Sequence, residues 1–165
     1  MHEKSIDLLN AAVADELMAI HQYMYFHFHC DDQGYDLLAQ LFKRTAIEEM
    51  EHVEILAERI LFLKGEVKME VAGEMEEIQD VEEMLKTAAR MEEESASDYN
   101  KWANGCSANN DSASKQIFEQ LVNDEERHYD QYDQELDNLG RFGTDYLALQ
   151  SIERSKRQST EPESE

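Results

Sequence analysis

The chain has 165 residues, 41% hydrophobic and 32% charged, with 15 Lys and Arg against 38 Asp and Glu for a formal net charge of −23. That length suits one compact domain with a real core and leaves little room for a second. Such acidity argues against a nucleic-acid partner, whose phosphates need clustered Lys and Arg, and points to a cationic one. No run of about 18 apolar residues exists to span a membrane. Glu3, Lys4, Asp7, Asp15 and Glu16 interrupt the N-terminus, which therefore lacks the apolar core of a signal peptide. The expected setting is cytoplasmic.

Glycine and proline punctuate the chain sparsely. The only proline is Pro162, and Gly34, Gly65, Gly73, Gly105, Gly140 and Gly143 leave glycine-free runs at 1–33, 35–64, 74–104 and 106–139. Helix interiors avoid both residues, so these runs predict four long helices. In the first, Leu8, Leu9, Ala12, Val13, Glu16, Leu17, Ile20 and Tyr23 recur at three-four spacing. The second repeats the pattern more loosely through Leu38, Leu41, Phe42, Thr45, Ile47, Glu49 and His52. Gly65 to Gln79 is the longest connection, against short ones at Gly34 and at Gly105–Asn110, and Asp111 or Ser112 suits the N-cap of the fourth helix. The order predicts an all-α four-helix bundle with one long crossover between the second and third helices. Gly143 to Arg154, with Tyr146, Leu147, Leu149 and Ile152, predicts a short fifth helix that completes a single unit over residues 1–154. Residues 155–165 are polar and read as a disordered tail.

Two cysteines make no disulfide framework, and Cys30 and Cys106 are not spaced as a redox pair or a zinc knuckle. In the expected topology they lie near opposite ends of the bundle, roughly 40 Å apart at 1.5 Å of rise per residue. They read as ordinary thiols. His27, His29, Cys30, Asp31 and Asp32 crowd the end of the first helix, as an accessory metal site or simply a solvated helix end.

Two Glu-x-x-His motifs carry more. Glu49-Met50-Glu51-His52 and Glu125-Glu126-Arg127-His128 each set a carboxylate and an imidazole about 60° apart around a helix, able to meet one metal from one face. In so acidic a chain such matches also arise by chance. The spacing decides. Glu16 and Glu92, Tyr23 and Tyr99, Glu49 and Glu125, and His52 and His128 all share one sequence offset, as after duplication of a helical hairpin. Glu16 also lies on the apolar stripe of its helix, where an unpartnered carboxylate is costly. One glutamate from each of two helices with Glu-x-x-His from the other two is the donor set of di-iron carboxylate bundles. Two Fe(II) ions would balance the four carboxylates, and carboxylate with imidazole suits iron or manganese over structural zinc.

The chain resembles the bacterioferritins over residues 5–150. The likeness rests on Leu9-Asn10 through Asp15-Glu16-Leu17, Ala19 to Tyr23, Ile47 to His52, Ala57-Glu58-Arg59-Ile60 with Leu63, Val81 to Leu85, Asp124-Glu125-Glu126 with His128, and Leu139-Gly140 followed by Asp145-Tyr146-Leu147. The resemblance implies a ferritin-like fold and a ferroxidase that oxidises Fe(II) with O2 or H2O2 and stores it as mineral. By it, Glu49 and Glu125 bridge the irons, Glu16 and Glu92 are terminal carboxylates, His52 and His128 are terminal imidazoles, and Tyr23 stands close by. It further implies a 24-subunit hollow cage built from two-fold dimers, and a ferredoxin as possible electron donor. Met50 sits about 100° round its helix from Glu49 and about 160° from His52, so it faces away from the metal pair. The resemblance makes it the axial ligand of a b-type or related haem shared across the two-fold interface. Arg44 and Glu48 depart from the histidine and aspartate with which some members bind an additional inner-surface iron. A rubrerythrin-like di-iron peroxidase and a mini-ferritin protecting DNA remain the rival readings. The first often carries a Cys-x-x-Cys module and the second usually builds its site between subunits.

Overall fold

A computed structural model describes residues 2–160, all of them in helices or their connections: α1 Glu3–Asp32, α2 Asp36–Phe62, α3 Val81–Ala108, α4 Ser112–Phe142 and α5 Thr144–Thr160. No strand occurs among the described residues, and no helix is long and apolar enough to cross a membrane. α1 packs along α2 and α3 along α4, and the two hairpins meet through α1 with α3 and α2 with α4. This is the four-helix bundle with one crossover that the spacing predicts.

The helix ends follow backbone chemistry more closely than glycine positions. α1, α2 and α3 all close with a left-handed residue followed by an N–H that reaches back five positions. Gly34, Lys64 and Asn110 have φ of 88°, 64° and 57°. The bonds run from Tyr35 to Cys30, Gly65 to Ile60 and Asp111 to Cys106, each 2.9 Å. They occupy carbonyls that the helix leaves unpaired. Asp80 caps α3 by accepting from the Glu83 N–H at 3.0 Å, and Asp111 caps α4 through Ser114 at 3.2 Å. The third helix thus starts at Val81, later than the glycine-free run that opens at Glu74. Gly105 and Gly140 lie inside helices, where Gly105 makes room for Leu8: a Cβ there would fall 2.9 Å from Leu8 Cδ1.

Gly65 is required for space as well. A Cβ would lie 2.8 Å from Ile6 Cγ2 and 3.1 Å from Ile60 Cγ2. Gly65→Ala should therefore destabilise the chain by about 1–3 kcal/mol through overpacking. Urea unfolding measures this, and a loss below about 0.5 kcal/mol would mean that the isoleucines give way freely.

The crossover is held by two side-chain amides of α1. Asn10 donates to the Glu66 carbonyl and accepts from the Lys68 N–H, both at 2.9 Å. Gln22 does the same with the carbonyl and N–H of Glu76, at 2.9 and 2.8 Å. An extended segment without a ladder thereby satisfies part of its backbone.

Two apolar clusters flank the middle of the bundle. One contains Tyr23, Phe26, Phe42, Met84, Leu85 and Tyr132. The other contains Leu9, Val13, Leu56, Ile60, Tyr99 and Phe118. They share a plan: Phe42 meets Tyr23 and Phe26 at 6.3 and 5.2 Å, while Phe118, its counterpart in the second hairpin, meets Tyr99 and Trp102 at 5.8 and 5.9 Å. Cys30 contacts Met84 sulfur at 3.6 Å in the first cluster, and Cys106 is buried in the second. Because most of α3 separates Met84 from Cys106, the thiols are about 33 Å apart along the bundle at the helical rise per residue. No disulfide joins them.

α5 differs from expectation at its end. It continues past Arg154 to Thr160, into residues read as tail. Lys156 pairs with Glu153 at 3.2 Å, and Ser155, Ser159 and Thr160 bond carbonyls three or four residues back. A helix needs no apolar face where its polar side chains satisfy one another. Arg154 anchors the base through the Asp31 carbonyl at 2.7 Å, and Gln150 accepts from the Leu38 N–H at 3.1 Å. Residues 161–165 of the expected tail lie outside the described residues.

Candidate metal centre

Between the two clusters the bundle buries charge. Glu16 of α1, Glu49 and His52 of α2, Glu92 of α3, and Glu125 and His128 of α4 are all at most 4% exposed. The structure brings all six candidate donors together. Glu16, Glu49, His52 and Glu125 form one group, and Glu49, Glu92, Glu125 and His128 a second, with the donor atoms of each within 4.8 Å of one another. Glu49 and Glu125 belong to both. That is the arrangement in which two carboxylates bridge a pair of ions and each ion keeps one further carboxylate and one imidazole.

The imidazoles aim among the carboxylates. His52 Nδ1 lies 2.8, 3.2 and 3.3 Å from oxygens of Glu49, Glu125 and Glu16. His128 Nδ1 lies 3.2, 3.5 and 3.7 Å from Glu49, Glu92 and Glu125. Neither nitrogen makes a well-directed hydrogen bond, nor do both oxygens of Glu49, Oε2 of Glu92 and Oε1 of Glu125. So many unpaired polar atoms in a closed interior call for a partner of opposite charge.

Proton affinities in the chamber reflect the same demand. Burial raises the pKa of Glu49 and Glu125 well above the carboxylate range, and repulsion from Glu16 and the other carboxylates adds to it. Glu92 is held low despite burial, by Glu125, His128 and Tyr23. Burial disfavours charge on His52 and His128, yet the surrounding carboxylates outweigh it and drive both far above the usual imidazole value. Each of the upward shifts answers to the same excess of buried negative charge. Divalent metal ions would offset that charge.

Four polar side chains set the donors from outside, and all follow the offset that relates the two hairpins. Tyr23 of α1 donates to Glu92 of α3 at 2.6 Å, and Tyr99 of α3 donates to Glu16 of α1 at 2.6 Å. His128 Nε2 faces Glu48 at 2.7 Å, and His52 Nε2 faces Asp124 at 3.0 Å. Each partner comes from the opposite hairpin. Glu48 and Asp124 are not among the donors read from the sequence, though each immediately precedes a glutamate shared by the two donor groups and the pair keeps the same offset. Burial would raise the pKa of Glu48, but hydrogen bonds from Arg127 and His128 bring it down to about 2.

The crowded end of α1 resolves differently. His27 Nδ1 meets the Ala39 carbonyl at 2.7 Å, His29 lies tilted against Tyr25, and Cys30 turns into the core. Among the described residues these side chains form no metal-holding group. Met50 lies on the outer face of α2, 51% exposed, away from the chamber as its helical position requires.

Comparison with known proteins agrees with this geometry. Residues 6–142 match the family model of the ferritin-like domain. The chain is 35% identical over 145 residues to a bacterioferritin from Desulfovibrio desulfuricans, covering 88% of this chain and 81% of that one. It is 34% identical to the Brucella melitensis bacterioferritin, with 85% and 87% covered. A solved structure of the Desulfovibrio desulfuricans bacterioferritin, whose di-iron site was captured in different catalytic states, superposes with a TM-score of 0.88 at 34% identity, over 90% of this chain and 86% of that one.

Proposed function

The chain belongs to the bacterioferritins of the ferritin-like family, and on that premise we propose that it is an iron-storing ferroxidase acting at a di-iron centre within each subunit. The observation that carries this reading is the pair of donor groups sharing Glu49 and Glu125. Glu16 and His52 complete one iron position and Glu92 and His128 the other, so one chain supplies every ligand.

Two Fe(II) ions are the substrate, and each gives one electron to the oxidant, O2 or H2O2. The bundle's own residues do the rest. Carboxylate bridges change denticity at little cost as the ions contract on oxidation. Tyr23 and Tyr99 each occupy one oxygen of a terminal glutamate and so orient the carboxylate. Asp124 and Glu48 hold the outer imidazole nitrogens, which fixes the Nδ1 atoms towards the metals. The apolar clusters on either side keep bulk water from the donors.

The cage reading extends this. A cytoplasmic 24-subunit shell built from two-fold dimers would hold the ferric product as mineral, with acidic openings that concentrate Fe(II). A ferredoxin would return electrons for release. For haem, the residue present fits the chemistry. Met50 offers a neutral, soft thioether on an outward face, able to meet its copy across a two-fold axis. Haem there would supply electron transfer across the shell.

The test is direct. Purified protein should take up two metal ions per chain before mineral forms, oxidise Fe(II) faster than aerated buffer, and scatter light as a particle of cage mass. Oxidation at the buffer rate would reject the ferroxidase reading.

A further inference from the structure

One arginine ties together the two carboxylates that stand behind the imidazoles. Arg127 Nη1 lies 3.4 Å from Oε1 of Glu48 and Nη2 makes a closer contact with Oε2. The same Nη2 lies 3.6 Å from Oδ1 of Asp124. The remaining oxygen of Asp124 meets His52, and Oε2 of Glu48 meets His128. The three charged side chains form a strip from α2 to α4 over the chamber, half-buried where the imidazoles beneath are closed off.

The physical consequence is positional. A partly exposed carboxylate on a long side chain otherwise samples rotamers that point to water. A planar guanidinium with several donors in fixed geometry suppresses this for both acids at once. An imidazole whose outer nitrogen keeps its acceptor stays turned inward. There is also a charge effect. Bare, Glu48 and Asp124 would offer a departing cation a relay of anionic oxygens; with Arg127 seated between them, that path carries a positive charge.

This rests on the di-iron reading. We propose that Arg127 is a latch, a positioning residue that clamps Glu48 and Asp124 against His128 and His52 and slows the escape of metal through the α2/α4 side of the chamber. It also gives Glu48 a fixed occupation, in place of binding a further ion.

The experiment uses the assembled full-length protein and Co(II) alone, whose visible absorption reports its donors. The protein is loaded, excess chelator is added, and decay of the absorption gives the release rate. Arg127→Ala should bind two Co(II) per chain as the parent does and release them about tenfold faster or more, the scale seen when outer partners of metal ligands are lost. Arg127→Lys, a point charge that engages one acid at a time, should release at an intermediate rate. Unchanged release in Arg127→Ala overturns the latch. Should that variant fail to assemble, Arg127→Lys carries the comparison, and parental release in it overturns the latch equally. If the parent binds no pair of Co(II) ions, the di-iron reading itself falls and the latch with it.

Discussion

Glu49→Ala should abolish the fast phase of Fe(II) oxidation and lower metal uptake below two ions per chain. Glu49 is fully buried, its two oxygens have no hydrogen-bond donor, and it faces both imidazoles at 2.8 and 3.2 Å. Among the described residues only Glu125 shares with it membership of both donor groups. On the proposed di-iron reading, removing Glu49 would take a shared donor from both ions at once, so neither position would keep its geometry. The fold should tolerate the change. Burial, and then repulsion from Glu16 and Glu92, push the proton affinity of Glu49 up, and it lies outside both apolar clusters. Thermal unfolding of the metal-free proteins reports any cost of the truncation to the fold by itself. Stopped-flow oxidation with thermal unfolding separates the two effects, and an intact fast phase would reject the assignment of Glu49 as a bridge.

Met50→Leu should remove haem binding altogether while leaving assembly and fast oxidation in place. Leucine keeps the size and apolarity of an exposed position on α2 but has no donor atom. Met50 is not in the chamber, so the oxidation phase serves as an internal control. After reconstitution with haem the parent should show visible absorption at one haem per two chains, since in the proposed two-fold dimer the same residue would arrive from both sides. Equal haem absorption in the variant would reduce Met50 to a surface methionine.

Much of the site could be read along the chain because its plan is periodic. Glu16, Glu49, His52 and their counterparts Glu92, Glu125 and His128 sit at helical positions that face inward, and burial of charge there requires a cation. The same offset extended to Glu48 and Asp124, but their role could not be read. Both point out of their helices' inner faces, and only the approach of α2 to α4 puts each beside an imidazole from the other hairpin. Arg127 reads from sequence as one surface cation in an acidic helix, and its contacts to Glu48 depend on that same approach.

Local sequence determined the number of helices, the long crossover, the inward stripe and the donor set, because periodicity and residue chemistry act within a few turns. Tertiary structure decided how the donors and the crossover are held. Gly105 reads as a helix stop, yet it lies inside α3 where the missing Cβ lets Leu8 of α1 pack close. Asn10 and Gln22 look like ordinary polar residues of α1 until the crossover lies against them. In each case the deciding partner lies far along the chain or outside the helix period, where the free energy comes from contacts that only the folded chain makes.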